Sequence, residues 1–252
     1  MRPLITLLTD FGTADGYVAE MKGVILSLVP DAHVVDISHD IAPQDVDGAR
    51  LAVARYWRRF PAGTVHVVVV DPGVGSARAA IAVASDGRFL VGPDNGALSP
   101  ALLVAGARVV SLPIPVQAAP TFHGRDVFAP AGSLLATGAP IDSLGPPIHQ
   151  PLVRRTPEAK RLPDGSISGE VIAIDRFGNL ITNLVAPRGG TVEIGGRVVG
   201  PLGRTYADVR SGELVAVVGS SGLVEIAVRD GHAASALSAS RGVRVALHPA
   251  RG

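Results

Sequence analysis

Through the first 145 residues, short apolar runs alternate with stretches in which apolar side chains recur every three or four positions. Residues 3–8 (PLITLL) run into Thr9-Asp10-Phe11-Gly12, a pattern that predicts a buried strand delivering a carboxylate to its C-terminal end. Tyr17, Val18, Met21, Val24, Ile25 and Leu28 then recur at helical spacing; Thr13 or Asp15 is placed to cap the first turn, and Pro30 stops the run. A second strand is expected over 33–37, a helical face at Ala49, Ala52, Val53 and Tyr56, and a third strand over 65–70 (VHVVVV). Strand, helix, strand, helix, strand predicts an α/β domain with a mainly parallel sheet between helices. The pattern continues less regularly, with short strands at 81–85 and 89–92, a helix near 98–104, and another from Gly124 to near Gly138.

Beyond residue 139 the texture changes to frequent prolines with little periodicity, including Gly145-Pro146-Pro147. The reading divides the chain into an α/β domain at 1–145, a linker at 146–163 and a smaller β domain at 164–252. In the last of these, short runs such as GEVIAIDRFG, VEIGGRVV, ELVAVVG and VEIAV are separated by glycine turns, with one short helix near 231–237. That predicts a small antiparallel sandwich or barrel.

Composition narrows the function classes. Of 252 residues, 47% are hydrophobic and 18% charged, as in a compact globular protein and not a disordered one. The net charge of +1 and the lack of any basic run longer than two residues argue against a nucleic-acid partner. No cysteine is present, which excludes thiolate zinc sites, iron–sulfur clusters and a cysteine nucleophile. No apolar stretch approaches the ~20 residues that span a bilayer, and the N-terminus turns polar too early for a signal peptide, so no membrane association and a cytoplasmic location are expected.

Ligands of parallel sheets bind beyond the carboxyl ends of the strands. Asp10 and Asp71 both stand at such ends, Asp71 opening the loop Asp71-Pro72-Gly73-Val74-Gly75-Ser76-Ala77-Arg78. Either alone reads equally well as a turn residue or helix cap; together they mark one edge of the sheet. The glycines of that loop would let N–H groups approach an anion, but the third glycine of a dinucleotide fingerprint is replaced by Arg78 and no Gly-Lys-Ser/Thr is present. A nucleoside triphosphate or NAD site is therefore disfavoured. His123, in Phe122-His123-Gly124-Arg125-Asp126, precedes an apolar helix, a position where a lone histidine is more often structural than catalytic. The other six histidines show no metal-ligand spacing and read as strand, loop or surface residues, so neither a metal nor another cofactor is expected. In the β domain, Asp175-Arg176-Phe177-Gly178-Asn179 has the composition of a common turn, yet Asn can pair with an adenine edge and Phe can lie against the ring. Gly219-Ser220-Ser221-Gly222 closes a strand.

Taken in order, these segments resemble the SAM hydroxide adenosyltransferase family, the adenosine-forming S-adenosyl-L-methionine (SAM) hydrolases related to fluorinases and chlorinases. The matching pieces are Thr9-Asp10-Phe11-Gly12 with Asp15, the Asp71 loop with Arg78, the Phe122 to Asp126 segment, residues 175–183, and residues 220–227. The resemblance implies hydrolysis of SAM to adenosine and L-methionine, with Asp71, Arg78 and His123 activating the attacking water. It further implies that Asp10 holds the ribose hydroxyls, that Phe177 and Asn179 hold adenine, and that Asp15, Asp175, Ser220, Ser221 and Glu225 meet the methionine end. Phe122 is expected among the substrate contacts. The family's trimers, with sites between the α/β domain of one subunit and the β domain of the next, imply a homotrimer here.

Two alternatives stay open: halogenase-type substitution on SAM, and a SAM or adenosine sensor without turnover. The halogenases resemble this chain but carry Tyr in place of Asp71 and of His123; the fluorinase also has Trp in place of Gln44 and an insertion that the short turn at 85–88 lacks. A carboxylate at position 71 would repel a halide, which favours water as the nucleophile. The sulfonium is already a good leaving group, so the difficulty lies with the water. Its pKa of about 15.7 must fall by roughly nine units, or about 12 kcal/mol, to give free hydroxide near neutrality. One guanidinium supplies only a few kcal/mol, so proton removal during attack, by Asp71 or His123, is expected.

Overall fold

The computed structural model describes residues 2–185 and 189–249, and the chain divides into two compact units, Met1–Arg155 and Thr156–Gly252. In the first unit the strands are β1 (Leu4–Thr9), β2 (His33–Ser38), β3 (Val65–Val69), β4 (Ala80–Ser85), β5 (Arg88–Pro93) and β6 (Arg108–Leu112). They form one six-stranded sheet in the order β2-β1-β3-β5-β4-β6. β2, β1, β3 and β5 run parallel, while β4 is antiparallel to both neighbours. The turn at Asp86 and Gly87 makes β4 and β5 a hairpin, both residues adopting positive φ. This is the mainly parallel sheet expected from the sequence. β6 was not foreseen: its five residues sit between Gly106 and Pro113, too short a run to separate from loop by pattern alone.

Period-two alternation sends the side chains of each strand to opposite faces. Ile5, Leu7, Val65, Val67 and Val69 pack with Val18, Met21 and Ile25 of α1 (Tyr17–Leu28) and with Ala129, Ala131 and Leu135 of the helix Ala129–Ala136. Leu8, Val68, Val70, Ile81, Val83 and Leu90 face the other way, onto Val46, Ala49 and Val53 of α2 (Val46–Tyr56) and onto Trp57. Both faces of β3 are thereby sealed, which explains why VHVVVV is continuously apolar apart from one histidine. α2 is capped by a side chain, the Asp45 carboxylate accepting from Gly48 N. α1 departs from expectation: its N-cap is Gly16 in the left-handed region, and neither Thr13 nor Asp15 caps it. The expected helix near residue 98 is the single turn α3 (Ser99–Leu102). The one after Gly124 opens as a wide π-turn over Gly124–Phe128 and tightens into α4 (Ala129–Ala136), with Pro130 tolerated in its first turn.

The proline-rich stretch after residue 145 is pinned to the first unit as far as Arg154. Ile148 N donates to Val109 O, Leu152 N to Asp94 Oδ1, and Arg154 N to Ser99 Oγ.

In the second unit β8 (Ile167–Ile174), β9 (Leu180–Val185), β10 (Thr191–Ile194), β11 (Arg197–Gly203), β12 (Leu214–Val218), β13 (Leu223–Val228) and β14 (Arg244–His248) close into a barrel, since β14 pairs with both β10 and β8. The two-residue β7 (Lys160–Arg161) adds to β8, and α5 (Ala233–Ala236) is the short helix expected near 231–237. One pair departs from the antiparallel expectation: β11 and β12 are parallel. The connection between them includes a helical turn at Tyr206–Asp208, closed by a Thr205/Asp208 capping box, and it returns the chain to the end where β11 began. The barrel interior is apolar, with Val171, Leu180, Leu184, Val192, Ala216, Val224, Ile226 and Val245 fully or almost fully buried.

Candidate active site

The register of β1 against β3 sets Thr9 opposite Val69, so Asp10 and Asp71 leave the sheet on the same edge. β5 ends beside them, and there Asn95 Nδ2 donates to Val70 O, fixing the last carbonyl before Asp71. From Asp71 the chain turns back at once. Ser76 Oγ donates to Gly73 O and accepts from Arg78 N, a compact turn that folds Arg78 over Asp71.

The outcome is a paired carboxylate and guanidinium. Arg78 Nε donates to Asp71 Oδ1 at 3.0 Å and Arg78 Nη2 donates to Asp71 Oδ2, a bidentate fork with both side chains at least nine-tenths buried. The same Nη2 donates to His123 Nδ1 at 2.9 Å. The guanidinium also lies over the ring of Phe128, 5.4 Å from its centroid, and Phe128 itself is completely buried. Asp71, Arg78 and His123, named from three separate places in the sequence, thus meet in one cluster.

Gly75 explains how the two loops come so close. Its φ is +74°, and a Cβ there would stand 2.6 Å from the carbonyl oxygen of Pro120, in the loop that carries His123. Only glycine meets both conditions. On the far side Asp126 ties the same loop down by accepting from Ala119 N at 2.8 Å and from Arg125 Nε at 2.7 Å. Arg125, aided by Ala119 N and against the opposing effect of burial, holds the Asp126 carboxyl below its ordinary pKa.

Charge states follow from these contacts. An arginine has donors only, so His123 Nδ1 is an acceptor and the neutral ring carries its proton on Nε2. Burial, reinforced by the Arg78 charge, lowers the His123 pKa from its ordinary value, against the opposing pull of Asp71 and Asp126. Arg78 Nη1 is buried and finds no acceptor among the described residues. A charged N–H group left bare in this way is costly unless a ligand or water completes it.

Around this cluster Phe122, Phe11 and Tyr17 form a mutually edge-on aromatic group with centroids 5.3 to 6.0 Å apart. Phe11 and Tyr17, read in the sequence as a motif residue and a helix-face residue, are not among the expected substrate contacts, although they lie close to Asp10 and Asp15. Asp10 Oδ2 accepts from Gln44 N at 2.7 Å, and Asp15 lies in an exposed bend before α1.

The remaining expected contacts belong to the second unit. Asp175 Oδ1 accepts from Phe177 N and Asn179 N, each at 2.9 Å, and its Oδ2 accepts from Asn179 Nδ2 at 3.0 Å. The common-turn reading is therefore right about the local geometry, and the turn leaves Phe177 three-quarters exposed and Asn179 nearly buried. Gly178, at φ +80°, lies so close to the ring of His232 that no Cβ fits. Ser220 and Ser221 are exposed in the turn between β12 and β13. Glu225 is buried and accepts from Tyr206 Oη at 3.0 Å, a partner the sequence did not reveal. Burial and this carboxylate raise the Tyr206 pKa. Among the described residues, no group of three or more His, Asp or Glu is placed to hold a metal ion, and no helix is long and apolar enough to cross a membrane.

Comparison with known proteins bears on the whole chain. The SAM hydroxide adenosyltransferase N-terminal domain matches residues 5–145, and the C-terminal domain of the same family matches residues 169–246. A protein from Thermus thermophilus named (R)-S-adenosyl-L-methionine hydrolase is 45% identical, over 98% of this chain and 100% of its own. A fluorinase from Actinopolyspora mzabensis is 32% identical over 73% of this chain and 72% of its own. The crystal structure of an uncharacterized conserved protein from Thermotoga maritima superposes with a TM-score of 0.88 at 31% identity, covering 97% of this chain and all of that one. Both units are thus accounted for by one line of descent, and the chain belongs to the SAM hydroxide adenosyltransferase family.

Proposed function

We propose that this chain hydrolyses SAM to adenosine and L-methionine, by in-line attack of water on C5'. The observation that carries the reading is the bare Nη1 of Arg78, a buried donor beside Asp71 and His123 with no acceptor of its own among the described residues. An oxygen accepting from that group is held where its developing negative charge is stabilised.

The protonation pattern supports a division of labour. With Nδ1 occupied by Arg78 and the proton on Nε2, His123 is a donor that orients the water and has no lone pair free for its proton. Asp71 keeps unused lone pairs on both oxygens and is the acceptor. As the water oxygen bonds to C5', the C5'–S bond breaks and its electron pair stays on sulfur, giving neutral methionine. The water proton passes to Asp71 and then to solvent, so SAM and water yield adenosine, methionine and one proton. Transfer concerted with attack avoids the roughly 12 kcal/mol that free hydroxide would cost. A halide would have to approach the Asp71 carboxylate, which disfavours the halogenase reading.

For the substrate, this reading gives Asp10 the ribose hydroxyls, Phe177 and Asn179 the adenine, and Asp15, Asp175, Ser220, Ser221 and Glu225 the methionine end, with Phe122 and its aromatic neighbours as an apolar wall. The named relatives suggest the (R) sulfonium epimer as substrate. It also takes the enzyme to be a cytoplasmic homotrimer in which the first unit of one subunit and the second unit of the next complete each site, without metal, cofactor or nucleic acid. Incubation with SAM in oxygen-18 water tests the chemistry: label is expected in the adenosine 5'-hydroxyl. Tight SAM binding without methionine release, or a chloride-dependent 5'-chloroadenosine product, would overturn it.

A further inference from the structure

The mechanism above leaves one buried histidine of the sheet edge without a role. His39 follows β2, is 6% exposed, and reaches the Asp10 loop in two ways. Its Nδ1 lies 2.9 Å from Thr9 Oγ1, the last residue of β1, which is completely buried. Its carbonyl accepts from Gly12 N at 2.8 Å, so the same residue grips both ends of the turn that presents Asp10. Thr9 Oγ1 in turn accepts from Phe11 N at 3.3 Å, tightening the turn from within.

Behind the ring stand two further groups. His39 Nε2 is 3.0 Å from Asp36 Oδ1, close in distance though not in line for a straight hydrogen bond, and Asp36 Oδ2 accepts from Lys22 Nζ at 2.6 Å. Burial pushes the Asp36 carboxyl up, but Lys22 and His39 outweigh it and hold it below its ordinary pKa. A carboxylate on that side favours the proton on Nε2 and leaves Nδ1 to accept from the Thr9 hydroxyl.

Asp10 is also held from the opposite direction. Gln44 N donates to Asp10 Oδ2, and Gln44 is a non-glycine residue at φ +66°. That conformation is costly for a side chain and aims the N–H at the carboxylate. Asp10 Oδ1 accepts nothing among the described residues. One oxygen is therefore spent on orientation and the other is left for a ligand.

We propose that His39 is a positioning residue for Asp10, acting through Thr9 and Gly12 so that the free Asp10 oxygen is set for a vicinal diol. The inference rests on the adenosine reading of the site. Orienting a carboxylate in advance spares the ligand the cost of ordering it, so the loss of His39 is expected in ligand affinity and not in the chemical step.

The test is titration of adenosine and of 2',3'-dideoxyadenosine into wild type, His39→Leu, His39→Asn and Thr9→Val, with kcat and KM for SAM measured alongside. His39→Leu and Thr9→Val are expected to weaken adenosine binding and raise KM by about 10- to 100-fold with a much smaller change in kcat. His39→Asn, which keeps an acceptor near Nδ1, should restore most of the loss. Dideoxyadenosine should bind all four proteins about equally weakly, and His39→Leu should cost nothing more in an Asp10→Ala background. Thr9→Val is nearly isosteric and keeps the test valid should His39→Leu fail to fold. Unchanged adenosine affinity in Thr9→Val, equal losses for both nucleosides, or additive losses with Asp10→Ala would overturn the proposal while leaving the adenosine reading intact. Wild type that does not bind adenosine overturns both.

Discussion

Asp71 and His123 approach one guanidinium from different loops, and each satisfies an edge of it that would otherwise be buried and unpaired. The arrangement depends on a neutral imidazole, because protonation at Nδ1 would place a donor against the Nη2 donor of Arg78. Burial and the Arg78 charge lower the His123 pKa, so the neutral form persists below the ordinary histidine range. On the proposed mechanism, activity is expected to be lost as pH falls through the lowered value and to be complete well above it. The acid limb of the kcat/KM profile is expected to be centred below the ordinary histidine value of about 6.5, and it should disappear in His123→Asn, whose residual rate is low but independent of that proton. A limb centred at or above the ordinary histidine value would contradict this assignment. At this scale much was legible in the sequence: Asp71, Arg78 and His123 were all named there. His39 and Tyr206 were not, because one histidine after a strand and one tyrosine in a loop carry no spacing signal, and their partners Thr9 and Glu225 lie 30 and 19 residues away.

Among the elements, the loop at 71–78 and the π-turn at Gly124–Phe128 form the joint that brings the cluster together. Gly75 is its tightest point. Gly75→Ala introduces both a left-handed non-glycine residue and an overlap with the Pro120 carbonyl, and is expected to cost about 1–3 kcal/mol while loosening Arg78 from His123. Urea unfolding together with SAM turnover checks it: a variant as stable and active as wild type would mean that the loop yields freely. The elements themselves were largely readable from apolar periodicity. What escaped were the left-handed Gly16 start of α1, where an exposed glycine adopts φ +80° with no side-chain cap, and both β6 and the π-turn before α4, where packing onto neighbours overrides a weak local preference.

Considered whole, the first unit hides a polar group inside its sheet. His66, the second residue of β3, is completely buried, hydrogen-bonds Thr6 Oγ1 at 2.7 Å, and stands edge-on to Tyr56 and Phe60. Burial brings its pKa down to about 4, helped by the Arg88 charge and opposed by the Trp57 backbone. The unfolded chain, with histidine near 6.5, takes up this proton first, so the contribution of His66 to stability is complete above about pH 6.5 and is lost as pH falls towards 4, by roughly 3 kcal/mol in all. Denaturant unfolding at pH 7 and pH 4.5 should show a smaller acid loss for His66→Gln than for wild type. An identical loss in the two proteins would assign the acid sensitivity elsewhere.

The order of strands and helices, the chemistry-bearing residues of the sheet edge and the change of texture after residue 139 are all local properties, written in periodicity, turn composition and motif. Sequence alone therefore determined the α/β character of the first unit and the β character of the second, with sandwich and barrel both open, and through its resemblance to a known family it named Asp71, Arg78 and His123 together. Tertiary structure decided what depends on distance between remote segments: that Arg78 forks onto Asp71 and also reaches His123, that His123 is left a donor at Nε2, and that Arg78 Nη1 remains bare among the described residues. A hydrogen bond spanning 45 residues has no periodicity to announce it, because it arises from sheet register and from the close approach of Gly75 to Pro120, both of which exist only once the chain is folded.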